Sequence, residues 1–108
     1  MTQITIEILQ KLCSDLDSIK ITQHTFVRFQ ERGILIRDVI NTINTGEIIE
    51  YYPDDYPYPS CLVLGLSVEN DYLHVCCGIG NDKIWIITAY YPAEDKWEND
   101  FKTRKVMS

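Results

Sequence analysis

Apolar residues between Ile4 and Ile19 (Ile4, Ile8, Leu9, Leu12, Leu16 and Ile19) recur at spacings of three and four, which predicts a helix with one buried stripe. A break over Lys20 to Gln23 precedes a second, short helix from Thr25 to Arg32, with Phe26 and Phe29 on its apolar side and Gly33 as its stop. A third helix follows from Ile36 or Arg37 to Thr45, with Val39, Ile40 and Ile43 as its apolar face and Gly46 beyond it. After Gly46 the period changes from helical to alternating. Glu47 to Tyr52, Cys61 to Glu69, Tyr72 to Ile79 and Lys83 to Tyr91 read as strands, being rich in β-branched and aromatic residues. Asn70-Asp71 and Gly80-Asn81-Asp82 supply the two tight turns of an antiparallel meander. The stiff, acidic connection from Pro53 to Ser60 holds three of the four prolines. Ala93 to Ser108 reads as a polar tail with room for a short helix over Lys96 to Lys102.

These elements predict an α+β fold in which N-terminal helices cover one face of a four-stranded antiparallel sheet. With Asn70-Asp71 as a two-residue loop, Ser67 faces His74, Leu66 faces Val75, Gly65 faces Cys76 and Leu64 faces Cys77. That register gathers Leu62, Leu64, Leu66, Val68, Leu73, Val75, Cys77 and Ile79 under the helices. Val63, Gly65, Ser67, Tyr72, His74 and Cys76 are left on a small mixed-polar face. For the last strand the register stays open, because one residue in the Gly80-Asn81-Asp82 turn exchanges Thr88 and Tyr90 with Ala89 and Tyr91.

At 108 residues the chain is expected to be a single domain. Its longest apolar runs fall far short of the ~20 residues a membrane helix needs, and its start lacks a basic n-region, so a cytoplasmic protein is expected. A net charge of -6 argues against coating nucleic acid by bulk electrostatics, and direct DNA binding is not expected. The charge is uneven, however. Residues 47 to 82 carry seven acidic and no basic groups, whereas residues 1 to 46 carry five of each and residues 83 to 108 carry five basic and four acidic. A small basic site that holds one phosphate remains compatible with this layout. Cys13, Cys61, Cys76 and Cys77 form no C-x-x-C pair and have no histidine at zinc-finger spacing, which favours reduced thiols packed as small apolar groups and no metal.

The densest chemistry lies in His24-Thr25-Phe26-Val27-Arg28-Phe29-Gln30-Glu31-Arg32-Gly33. Helical residues advance by roughly 100°, so His24, Arg28 and Arg32 form one slowly drifting stripe opposite the phenylalanines. Imidazole, with an unperturbed pKa of ~6.5, suits proton transfer near neutrality, and guanidinium matches phosphate oxygens with a planar fork. Together they suit cleavage of a phosphodiester. The competing reading makes His24 a cap and the arginines surface groups paired with Glu31 or with acids of the middle segment. His74, on the mixed-polar strand face, is a second proton-transfer candidate or a hydrogen-bonded core residue. Thr88, Tyr90 and Tyr91 offer hydroxyls at the end of the last strand.

Several of these elements form a combined pattern: His24-x-x-x-Arg28-x-x-x-Arg32-Gly33-Ile34, Asp38-Val39-Ile40, Gly46-Glu47-Ile48-Ile49-Glu50, Leu73-His74-Val75 and Ile86-Ile87-Thr88-Ala89-Tyr90-Tyr91-Pro92. From about His24 to Pro92 the chain resembles a small bacterial domain-of-unknown-function family, DUF4258; the first helix and the tail lie outside the resemblance. It implies a RelE-like fold, shared with BrnT and MqsR toxins, in the metal-independent ribonuclease group that includes barnase. It also points to His24, Arg28, Arg32, His74 and Tyr90 as catalytic residues and Thr88 as substrate-binding, and implies RNA as substrate and a small antitoxin partner, commonly of zinc-ribbon type; Tyr91, beside them on the strand, is expected to join Thr88 in substrate binding. The expected activity is that of a toxin-like endoribonuclease needing no cofactor. The alternatives are a non-catalytic protein-interaction domain, using the same face or the acidic Tyr-Pro loop, and a domain that binds a small anionic ligand.

Overall fold

A computed structural model describes residues 4–106. Three helices, α1 (Ile6–Cys13), α2 (Gln23–Arg32) and α3 (Ile36–Thr45), accompany five strands: β1 (Ile19–Ile21), β2 (Glu47–Tyr52), β3 (Ser60–Leu66), β4 (Tyr72–Gly80) and β5 (Lys83–Tyr90). The strands form one sheet in the order β1-β5-β4-β3-β2. Its four later strands pair antiparallel, as expected, but β1 pairs with β5 in parallel, so the sheet is mixed and five-stranded. None of the helices is long and apolar enough to cross a membrane.

The first helix is shorter than its apolar spacing predicts, and local hydrogen bonding is the reason. Thr5 caps its start by accepting the Ile8 N–H at 3.2 Å. At its end Ser14 donates to the Lys11 carbonyl at 2.6 Å, and Asp15 accepts the Asp17 N–H at 3.0 Å, opening a single 3-10 turn over Leu16–Ser18. These side chains offer the backbone an alternative to the α-helix, so Leu16 is left 71 % exposed and Ile19 begins a strand. The stops of the other helices fall where the glycines predict. Gly33 adopts a left-handed φ of 69°, the Ile34 N–H reaches the Phe29 carbonyl at 2.9 Å, and the Gly33 N–H reaches Gln30, a Schellman arrangement.

The expected β3–β4 register is displaced. Asn70 takes a left-handed φ of 66°, and the Ser67 N–H bonds the Asp71 carbonyl at 2.8 Å, so the loop has three residues, Val68 to Asn70, instead of two. Leu66 therefore pairs with Tyr72, Leu64 with His74 and Val63 with Val75. The parity of β3 is reversed as a result. Cys61, Val63 and Gly65, not Leu62, Leu64 and Leu66, share the helix-covered face with Leu73, Val75 and Cys77. Phe29, Val39, Ile43, Val63, Val75, Ile84 and Ala89 belong to the core between helices and sheet. Phe26, expected to be buried beside Phe29, is 42 % exposed.

The end of β3 is fastened to α3 by polar contacts. Asn41 donates to the Leu66 and Ser67 carbonyls at 2.9 and 3.1 Å, and Thr45 accepts the Leu66 N–H at 2.9 Å. Asp38 spans both ends, accepting the N–H of Leu35 at 3.0 Å and of Val68 at 3.1 Å. This closeness requires Gly65, because a Cβ there would collide with the backbone carbonyl of Thr42. Gly65→Ala is expected to destabilise the fold by about 1–3 kcal/mol or more, read as a lower urea midpoint. A midpoint within error of the parent would show that α3 can move away from β3.

Candidate functional site

The stripe on α2 is present. Thr22 caps the helix by accepting the Thr25 N–H at 3.2 Å, Phe29 is only 1 % exposed, and His24, Arg28 and Arg32 are all exposed. The pairing with acids that the competing reading gives these arginines does not occur: among the described residues, neither Arg28 nor Arg32 is ion-paired. Arg32 instead reaches β5, donating to the Ala89 carbonyl at 2.8 Å and to Thr88 Oγ1 at 3.4 Å. Thr25 Oγ1 donates to the Ile87 carbonyl at 3.2 Å. Because β1 pairs only with Ile84 to Ile86, the remaining length of β5 is an open edge, and α2 side chains satisfy its carbonyls.

Register places the other expected residues. Asn81 and Asp82, with φ of 55° and 59°, form a two-residue hairpin turn that pairs Ile79 with Ile84 and Cys77 with Ile86. A bulge at Ile87 then shifts the ladder, so Thr88 pairs with Cys76 and Tyr90 with His74. That one extra residue brings Thr88 and Tyr90 onto the His74 face. Tyr91 alternates away, and its phenol is pushed up by burial and then by the carboxylates of Asp38, Asp71 and Glu69. Two pairs thus meet at the end of β5, Arg32 with Thr88 and His74 with Tyr90.

His74 is fully buried, and the segment after β5 is what covers it. The expected short helix over Lys96 to Lys102 does not form. The chain doubles back instead, with Trp97 bridging to Arg104 and the Lys105 N–H bonded to the Lys96 carbonyl at 2.9 Å. The Trp97 ring stands edge-on to His74 at 4.5 Å, and the Phe101 carbonyl lies 2.7 Å from His74 Nε2. A carbonyl only accepts, so Nε2 carries the hydrogen, and Nδ1, 3.3 Å from the Tyr90 hydroxyl, is the acceptor in the neutral ring. In this arrangement His74 is closed off from solvent and holds the Tyr90 hydroxyl. Arg104 lies over Trp97 at 4.6 Å and grips Glu50 through Nε at 2.8 Å and Nη2 at 3.0 Å. That hydrogen bonding holds the Glu50 carboxyl below its usual range, while burial and then the Glu50 contact push the Tyr52 phenol up to about 12. Trp97, Phe101, Arg104 and Glu50 were not expected at a site; a tryptophan inside an otherwise polar tail was the signal for them.

Burial, the largest influence on His74, lowers its pKa below the ordinary 6.5. In the window between the two values the unfolded chain binds a proton that the folded chain refuses, so stability is full above about pH 6.5 and falls as pH drops below it. Urea midpoints should therefore decline between pH 7 and 5.5, and His74→Gln should flatten that decline. An unchanged slope in the variant would exclude His74 as its source. The four thiols are unpaired, and burial pushes those of Cys13 and Cys76 up to about 11, which suits apolar packing more than nucleophilic chemistry.

The family model for the domain of unknown function DUF4258 matches residues 21–91, from the last residue of β1 to the residue after β5. The chain belongs to this family; α1 and the segment that covers His74 lie outside the matched region. No curated protein and no solved structure matches the chain.

Proposed function

We propose that the protein is a metal-independent endoribonuclease of toxin type, with a RelE-like arrangement of helices on its sheet. The observation that carries this reading is the pair of exposed, unpaired guanidiniums on successive turns of α2, in line with His24, on a chain of net charge -6. An acidic protein that presents two arginines without carboxylate partners among the described residues has a local place for an anion. His24 takes the proton of an RNA 2'-hydroxyl as that oxygen bonds to the adjacent phosphorus. Arg28 and Arg32 neutralise the charge that builds on the phosphoryl oxygens, Arg32 being already oriented by β5. The bond from phosphorus to the 5'-oxygen breaks, leaving a 2',3'-cyclic phosphate. The proton for the departing oxygen comes from Tyr90, whose O–H turns from His74 Nδ1 to give it and which solvent reprotonates afterwards.

A cytosolic location and a small antitoxin that covers the stripe belong to the same proposal. Purified protein is expected to cut RNA, alone or on ribosomes, in the presence of a metal chelator and to leave cyclic phosphate ends. Its induced expression should arrest bacterial growth. Protein that cuts no RNA under either condition would leave the interaction-domain reading in its place.

A further inference from the structure

On the same sheet face as His74, but at the other end of β5, lies a cavity of about 540 Å³, in the size range of small-ligand sites. Its lining includes Lys20, Thr22, Thr25, Tyr56, Tyr58 and Trp85. From this geometry we infer that the cavity holds one nucleotide of single-stranded RNA, its base against Trp85 and its phosphate at Lys20; the inference rests on the ribonuclease reading of α2. Three features lead to that occupant.

The aromatic wall is built before any ligand arrives. Tyr58 and Trp85 stack with centroids 5.7 Å apart and planes 28° from parallel. Each is tied by its polar end, the indole N–H to the Gly80 carbonyl at 3.0 Å and the Tyr58 hydroxyl to the Asn81 amide at 2.9 Å. A fixed wall loses little freedom when a flat ring is laid on it. Tyr56, 92 % exposed beside it on the Tyr-Pro loop, is a second stacking surface left open to solvent.

The rim carries one cation, Lys20, and one carboxylate, Asp55. Lys20 is the β1 partner of Trp85, so both side chains rise from the same face, and Lys20 has no ion pair among the described residues. Asp55 also lines the cavity; its carboxylate accepts from the Ser60 hydroxyl at 2.6 Å and the Tyr56 N–H at 3.2 Å, which leaves Lys20 as the group free to meet a phosphate. The third feature is position. Thr22 and Thr25 line the cavity with His24 between them in sequence, so the site opens at the end of α2 where the His24-Arg28-Arg32 stripe begins. An apolar protein segment would use the wall but leave the unpaired ammonium and the adjoining cationic stripe without a partner.

The test uses a fluorescein-labelled 2'-O-methyl oligouridine, which lacks the nucleophilic hydroxyl, so that binding to the full chain is read by anisotropy independently of cleavage. Trp85→Leu should weaken binding by roughly 5- to 150-fold, the range of one base–aromatic stack. Lys20→Ala, an exposed change that leaves the wall intact, should reduce the slope of log affinity against log salt by about 0.7, as for one phosphate contact on a single strand. No binding by the parent protein, or binding that ignores both substitutions, would overturn the inference and leave the groove to an apolar partner segment. The two readings fail separately. Protein that binds the probe through Trp85 and Lys20 but cuts no RNA removes the ribonuclease proposal alone, whereas protein that cuts RNA while both variants bind unchanged removes only the base site.

Discussion

His24→Ala and Arg28→Ala are each expected to lower RNA cleavage by about 100- to 10,000-fold while leaving the fold intact. A positioned proton-transfer group is worth that range in rate, and a guanidinium on the transition-state phosphate acts on a comparable scale. The stability of both variants should lie within about 0.5 kcal/mol of the parent. Both side chains are exposed, neither makes a hydrogen bond or ion pair among the described residues, and the helix is held from its other side by Phe29. Activity and folding therefore separate at these two positions. Arg32 is a poorer probe, since Arg32→Ala also removes the bond to the Ala89 carbonyl and should cost about 1 kcal/mol by itself. The measurement is single-turnover RNA cleavage beside urea unfolding for each variant. Folded His24→Ala and Arg28→Ala proteins that cleave at the parental rate would remove the stripe from the mechanism. Equal losses of rate and stability would make the stripe a structural feature of α2.

How far the fold could be read from the sequence depends on whether the deciding signal was local. α2 and α3 carry theirs within a few residues, an apolar face at helical spacing followed by Gly33 or Gly46, and both end where those signals place them. β1 has no such signal. Ile19 continues the apolar spacing of the first helix while Lys20 and Ile21 fall in the break after it, and only the parallel partner Ile84 to Ile86, far along the chain, makes the three a strand. The β3 register turned on a single residue: Asn70 reads equally well as half of a two-residue turn or as the left-handed end of a three-residue one, and the choice reverses the faces of Leu64 and Val63. The site divides along the same line. Four-residue spacing on one helix revealed His24, Arg28 and Arg32. The meeting of Tyr90 with His74 depends on a bulge at Ile87 that no neighbouring residue announces. Nor does composition separate a covering segment from a solvated tail when Trp97 and Phe101 are its main apolar anchors.

Those anchors set the second large effect, since Trp97→Ala is expected to destabilise the protein by about 3–5 kcal/mol, the usual cost of truncating a buried tryptophan. Trp97 is 3 % exposed, contacts His74 edge-on and supports the Arg104 guanidinium on its ring. The ion pairs of the same segment contribute far less. Lys102 and Glu47 meet at 2.5 Å with side chains 49 % and 53 % exposed, where solvent screens their attraction, and Arg104 is itself 59 % exposed although its partner Glu50 is 23 % exposed. The indole, not the charges, holds the segment over His74, and raising the salt concentration should change stability little. Removing the indole also admits water to the imidazole. The His74 pKa should then climb toward its ordinary value, read from the pH dependence of its NMR signals, and the acid sensitivity between pH 7 and 5.5 should shrink. Trp97→Phe, which keeps an aromatic edge near the ring, should recover part of the loss, while Lys102→Ala should cost no more than a surface change. A loss below about 1 kcal/mol in Trp97→Ala, with the His74 titration unmoved, would show that the backbone bond from Phe101 fastens the segment and that the tryptophan only rests on it.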